Sequence, residues 1–342
     1  MIKTVIRLPQ VMSDPRGILL PNRLEVYMVT DFPTTAIEFN EVFSSEDACA
    51  AYLESVRWPD GFVCPKCGGK EAWRVKVRPL MHCKSCGRQT SITAGTPLQG
   101  TRKPLRAWFH AMFLVSAQKT GTSAANVQRQ VGLKSYGTAW TWLHKIRTCM
   151  RLEGREKLEG RVEVDEGYVG GNEPGVRGRH TETKSLVAVA AEDDGGDRRI
   201  GRIRLEAIPT ASQEVLSGFV DENVEKGSTV RTDGLKGYAK LASVGVQHEP
   251  TTVKGSGKTG SQLFPRVHLV LALLKRWLLG TFQGRVDAKH LQAYLDEFCF
   301  RFNRRTCRFA TGIFERVAAA VASGAPRTYA AIVGGLACPR GT

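Results

Sequence analysis

The spacing of apolar positions divides the chain into a front half that alternates turn-rich and helical stretches, and a back half of strands followed by helices. Little periodicity shows before about residue 36, where Pro9, Pro15, Pro21 and Pro33 interrupt the chain. Residues 1–36 therefore read as a loosely ordered extension, in which Met28 offers an alternative start. The first helical spacing is SSEDACAAYLESVRW, with Ser44 or Ser45 as its cap. From Pro59 to about Gly95 the segments are short and turn-rich. Helical periodicity returns between Pro104 and Glu153, in LRAWFHAMFLVSA and SYGTAWTWLHKIRTCM.

After Gly160 the period changes to that of strands, in RVEVDEGYVG, KSLVAVAAE, RRIGRIRLEAI and STVRTDG, with a helix in ASQEVLSGFVDENV before the last of them. Three strands in succession, a helix, a further strand and then helices predict a mixed sheet covered by helices, and so an α/β class. The expected units are a helix plus a small turn-rich module over 37–98, a helical segment over 99–158, a sheet domain over 159–320 and a tail over 321–342.

Length and charge narrow the reading. A chain of 342 residues has room for two or three domains, since one core seldom serves beyond about 250–300 residues. The 49 Lys and Arg against 33 Asp and Glu leave a net charge of +16, which favours a polyanionic partner such as nucleic acid. No apolar run is long enough to span a membrane, and MIKTVIRLPQVMSDPRG lacks the features of a secretory signal. A cytoplasmic protein is expected, and in that compartment clustered cysteines point to metal rather than to disulfides.

Such a cluster is present. CPKCGG and CKSCGR place Cys64, Cys67, Cys83 and Cys86 as two Cys-x-x-Cys pairs, each followed by glycine. Two such knuckles present four thiolates to one ion, and the glycines permit the tight turns. With every position filled by thiolate, Zn2+ here is structural, not catalytic.

Next along the chain, SAANVQRQVGLKSYGTAWTWLHKIR has the spacing of a helix-turn-helix, turning at Val131, Gly132 and Leu133. On that reading Lys134, Lys145 and Arg147 meet phosphates, while Ser135, Tyr136 and Thr138 reach base edges. The alternative is an ordinary helical hairpin with Trp140, Trp142, Leu143 and Ile146 in its core.

In RVEVDEGYVGG, Val162 and Val164 alternate with Glu163 and Asp165, so one strand face is apolar and the other acidic. Asp233 follows a second strand in RTDGLKGYAKL, and two carboxylates at strand ends can share divalent cations. Glu166 should point to the face opposite Asp165. Taken with RWPDGFVCPKCGG, CKSCGRQTSITAGTP and LKRWLLGTFQGRVDAKHLQAYLDEFCFRFNRR, these blocks resemble the ISXO-like insertion-sequence transposases over roughly residues 37–320.

The resemblance implies an N-terminal zinc ribbon and a DDE-type domain of RNase H-like fold, in which Asp165 and Asp233 hold Mg2+ or Mn2+. The implied reaction is hydrolysis at transposon ends, then attack of the freed 3′-hydroxyl on target DNA. It implies double-stranded DNA as partner, as terminal inverted repeats and as target, a homo-oligomer when bound to DNA ends and a nucleoid-associated location. The family places a third ligand, Glu, Asn or His, on the helix before the stretch Lys275 to Thr281, and the aligned position is Leu273, an apolar side chain that cannot coordinate a hard cation. Three readings stay open: the alignment is shifted, Gln262 or His268 stands in, or this is a decayed copy that only binds DNA. Lys275 and Arg276 fall near the implied site as phosphate contacts. Arg301, Arg304 and Arg305 either bind DNA or stabilise a helix C-terminus.

Overall fold

A computed structural model describes residues 33, 35–75, 79–151, 154–170, 184–196, 199–284, 286–307 and 310–334. The expected loose extension over 1–36 lies almost wholly outside the described residues.

The chain first forms α1 (Ala36–Val42) and α2 (Glu46–Arg57). Sequence periodicity missed the short α1, which Thr35 and Glu38 fix through a reciprocal capping box. Ser45 caps α2 by accepting from the Ala48 N–H. Three short antiparallel strands follow, β1 (Ala72–Arg74), β2 (Leu80–Cys83) and β3 (Gln89–Ser91), and then α3 (Leu105–Ala117), α4 (Ala124–Val131) and α5 (Tyr136–Thr148). Pro104 gives α3 no side-chain cap, and the Glu46 carboxylate supplies one from α2 by accepting from Leu105 N and Arg106 N at 2.7 and 3.0 Å.

The back half holds β4 (Arg161–Val169), β5 (Ser185–Asp193), β6 (Ile200–Ile208), α6 (Gln213–Asn223), β7 (Thr229–Thr232) and β8 (Gln247–Pro250). Then come α7 (Gly260–Leu263), α8 (Pro265–Phe282), α9 (Leu291–Phe302), α10 (Ala310–Ser323) and α11 (Tyr329–Val333). The five strands lie in the order β6-β5-β4-β7-β8. The first three pair antiparallel, and β7 and β8 run parallel to β4. This is the mixed sheet that the pattern predicts, with one strand more than the pattern gave.

Burial explains the strand sequences. One face packs Val187, Val189, Ala191, Ile203 and Leu205 against α8 and α9. The other packs Val162, Val164, Ala188 and Ala190 beneath Leu216, Phe219 and Val220 of α6. Because β5 is covered on both faces, its sequence runs almost continuously apolar instead of alternating.

Front and back are joined by packing. Helix α10 returns to α2 and α3, where Phe314 enters an aromatic cluster with Phe39, Phe43, Tyr52 and Phe109. Helix α5 packs on α9, and there Arg147 departs from expectation. It is not a phosphate contact but a buried cation, 1% exposed, whose Nε lies 2.7 Å from Glu297 Oε2, itself wholly buried. Its guanidinium stacks 4.1 Å from the centre of the Tyr294 ring. Charge alone had marked this residue as a surface group, while its partner lies 150 residues away.

Losing one member of a buried pair leaves the other charge without compensation. Arg147→Ala should cost about 3–5 kcal/mol of stability by denaturant unfolding. Glu297 Oε1 also lies 3.5 Å from Arg301 Nη1, so the paired replacement Arg147→Met with Glu297→Leu, which takes that partner away, should recover only part of the loss.

Candidate active site and zinc centre

The ribbon is built by its strands and two matching knuckles. In the first, Gly68 N donates to Cys64 O, and in the second, Gly87 N donates to Cys83 O. Both glycines have φ of +71°, a left-handed turn that a side chain would strain. The knuckles cross so that Cys64 Sγ lies 3.6 Å from Cys86 Sγ and Cys67 Sγ lies 3.6 Å from Cys83 Sγ. All four sulfurs fall within 4.8 Å of one another. A zinc–sulfur tetrahedron with bonds of about 2.3 Å has edges of roughly 3.8 Å, so the cluster fits this ion. Although burial works against it, the N–H groups of Lys66 and Cys67 help bring the Cys64 thiol down to about 6. Although the Gly69 N–H works against it, the contacts with Cys86 and Cys83 push the Cys67 thiol up to about 12, so a bound metal must displace its proton.

The second site lies where β4, β7 and α8 meet. Parallel pairing sets Arg161 against Thr229, Val162 against Val230 and Glu163 against Arg231. Asp165 lies two residues beyond the last of these pairs on β4, and Asp233 lies two residues beyond its other member, just past the end of β7. Both carboxylates lie close enough to the buried Tyr238 hydroxyl to act on it electrostatically. Each is oriented by the backbone: Asp165 Oδ1 accepts from Glu166 N and Asp233 Oδ1 from Leu235 N, both at 2.9 Å.

Glu166 does lie on the opposite face, as the alternation required. Its Oε2 accepts from Tyr238 Oη at 2.7 Å, tying β4 to the connection that follows β7. Burial first, and then the charge of Glu166, raises the Tyr238 hydroxyl well above its ordinary range, so it stays protonated and donates.

The third position is corrected by the fold. Leu273 is half-buried and packs against the core between the sheet and α8–α9, away from any ligand role. Gln262 is taken up by α7, where its side chain accepts from Thr259 N at 2.8 Å in a capping box. His268, on the second turn of α8, is the side chain that meets the strand: its Nε2 lies 3.7 Å from Asp165 Oδ2. The imidazole also lies against α7, since a Cβ added to Gly260 would come within 2.8 Å of Nε2. Burial, opposed by Glu163 and aided by Lys275, holds His268 below its usual range. It is therefore neutral near pH 7, with a lone pair to donate. His268 thus offers a nitrogen beside Asp165, whereas the binding-only reading rested on Leu273 alone.

Among the described residues the cysteine quartet is the only group of three or more His, Cys, Asp or Glu drawn tightly enough to enclose an ion. Asp165, Asp233 and His268 do not form such a group; of the three, His268 and Asp165 are the pair in contact, at 3.7 Å.

The cations expected to meet DNA divide into two sets. Lys134, Lys275 and Arg276 are exposed. Arg147 is the buried ion pair already described. Lys145 is half-buried and donates to Pro97 O at 2.8 Å. Arg304 donates to Phe300 O at 2.9 Å, Arg305 caps the same helix end through Phe302 O and reaches Gly201 O, and Arg301 donates to Val115 O in the last turn of α3. For the last three the helix-terminus alternative describes the geometry. Ser135, Tyr136 and Gly137 at the start of α5 are exposed, and most of the rest of that helix is buried. No helix among the described residues is long and apolar enough to cross a membrane.

Comparison with known proteins agrees with this architecture. Residues 157–303 match the family model of the ISXO2-like transposase domain, and residues 44–89 match that of the transposase zinc-ribbon domain. A protein of Halobacterium salinarum described as uncharacterised, in transposable element ISH50, is 27% identical over 285 residues. That alignment covers 76% of this chain and 92% of the relative.

If zinc organises the ribbon, Cys83→Ser should reduce bound zinc from about one ion per chain to almost none, because binding and folding are one transition in such modules. Proteolysis should then cut within 59–95 and spare the sheet domain.

Proposed function

We propose that this chain, which belongs to the ISXO2-like insertion-sequence transposases, cuts DNA at the ends of its element and joins the freed 3′ ends to target DNA, with Asp165, Asp233 and His268 as its metal-binding set. The observation that supports the reading is the register of β4 against β7: Asp165 and Asp233 each follow the Glu163–Arg231 pair by two residues, and both act electrostatically on the Tyr238 hydroxyl.

The donor set suits a divalent cation. Two carboxylates supply hard oxygen ligands, and a neutral imidazole adds a nitrogen that favours Mn2+ over Mg2+. Such a cation, when bound, supplies Lewis-acid activation of water or a 3′-hydroxyl and stabilises the leaving oxygen. The protein's own part is orientation. Backbone N–H groups aim Asp165 and Asp233, the Tyr238–Glu166 hydrogen bond braces the two strands from behind, and α7 holds the imidazole.

Lys275 and Arg276 extend along the exposed side of α8 and hold backbone phosphates next to the reacting strand. Lys134, with Ser135, Tyr136 and Thr138 at the α4–α5 turn, binds the terminal inverted repeats, and the ribbon is a structural part of the same DNA-holding front. Two ends must meet in one complex, so the active form is a homo-oligomer on nucleoid DNA.

Cleavage of labelled inverted-repeat ends tests this reading. Asp165→Ala and Asp233→Ala should each reduce cleavage about 1000-fold or more, equivalent to ~4 kcal/mol of transition-state stabilisation, while end binding persists. Cleavage unchanged in both variants would refute it. His268→Glu should move the preferred metal from Mn2+ toward Mg2+ by about tenfold in the ratio of cleavage rates. An unchanged ratio would remove His268 from the ligand set.

A further inference from the structure

Helix α8 has no side-chain cap of its own. Pro265 opens it, and Phe264 before it offers no acceptor to the amides of the first turn. A carboxylate from the sheet meets them instead. Glu163 Oε2 accepts from Arg266 N at 2.8 Å and from Val267 N at 3.2 Å, while Oε1 accepts from Arg266 Nη1 at 3.0 Å. The same Arg266 side chain donates to Arg199 O, Gly196 O and Asp193 Oδ1, which ties the start of the helix to the β5–β6 connection as well.

A second grip comes from β7. The Arg231 guanidinium lies 5.6 Å from the centre of the Phe264 ring and 3.8 Å from Glu163 Oε1, and it donates to Leu263 O at 3.5 Å. The placement along the strands is regular. Glu163 precedes Asp165 by two residues, and Arg231 precedes Asp233 by two. Residues i and i+2 share a strand face, so β4 holds the helix with Glu163 and presents Asp165 on the same face, while Asp233 follows the end of β7. His268 follows Val267 directly, and its position opposite Asp165 is set by where that first turn is held.

We propose that Glu163 is a positioning residue: its carboxylate, shared between the α8 amides and Arg266, sets the helix so that His268 stays opposite Asp165 in the divalent-cation site. The inference rests on the metal-dependent reading given above. Glu163 is 2% exposed and does not reach the reacting atoms. Its action runs through α8. A buried ion pair that served stability alone would leave cation binding unchanged when altered.

The test uses full-length, zinc-loaded protein and Mn2+ as the probe. Both Glu163 oxygens face donors, so Glu163→Gln must turn an NH2 group either on the α8 amides or on Arg266. The expected result is Mn2+ affinity reduced about 10- to 100-fold by calorimetry, the range for partners that orient metal ligands. Amide exchange at Arg266 and Val267 should quicken at least about tenfold, with zinc content unchanged. Wild-type affinity, or unchanged exchange at those two amides, overturns the proposal. Should Glu163→Gln fail to fold, the wild-type protein decides. First-turn amides ordinarily exchange fast, so slow exchange of both supports the Glu163 cap and fast exchange overturns it. Asp165→Asn separates the two claims. If wild type binds no Mn2+ that Asp165→Asn removes, the metal reading fails on its own terms. Glu163 is then only a structural cap, and the proposal fails with it.

Discussion

The parallel ladder between β4 and β7 is the constraint on which the candidate site depends. Its three pairs fix Glu163 against Arg231, and Asp165 and Asp233 each follow that pair by two residues, both near enough to act on the Tyr238 hydroxyl. Side chains alternate along a strand, so a slip of one residue would turn both acids toward the face packed by Val162 and Val164 and place valine opposite α8. The apolar side of β4 therefore fixes the chemistry of its acidic side: burial of those two valines against α6 and its neighbours holds the register that sets Glu163 against Arg231.

Around that ladder the helices are placed by charges reaching across the fold. Glu46 caps α3 from α2, Glu163 caps α8 from β4, and Arg301 satisfies carbonyls at the end of α3 from α9. Each device satisfies backbone groups that a helix end leaves without partners. Of these, the Arg301 contact crosses from the sheet domain to the helical front, as does the Arg147–Glu297 pair, and these two tie the halves together. A helix-turn-helix joined in this way presents its exposed start, Lys134 to Gly137, in a fixed relation to α9.

What the sequence made legible was local. The Cys-x-x-Cys pairs announce their geometry because knuckle and metal are specified within a few residues, and the acidic and apolar faces of β4 follow from simple alternation. Strand β8 was not legible, since QHEP is short, polar and at a sheet edge. For the third position the sequence left Gln262, His268 and a shifted alignment open. In VHLVLALLKRW an apolar run leaves the helical register open, and only packing against Gly260 and Asp165 shows His268 to be the inward side chain rather than Leu273. The arginines misled for the opposite reason. A positive charge reads as surface until its partner is known, and Glu297 stands far from Arg147 in sequence.

The most direct test is anomalous diffraction at the manganese edge from crystals of the zinc-loaded protein soaked in Mn2+. A peak coordinated by Asp165 and Asp233, with His268 within bonding reach, is the predicted result. Crystals that bind Mn2+ elsewhere, with the two aspartates too far apart to share an ion, would contradict the account.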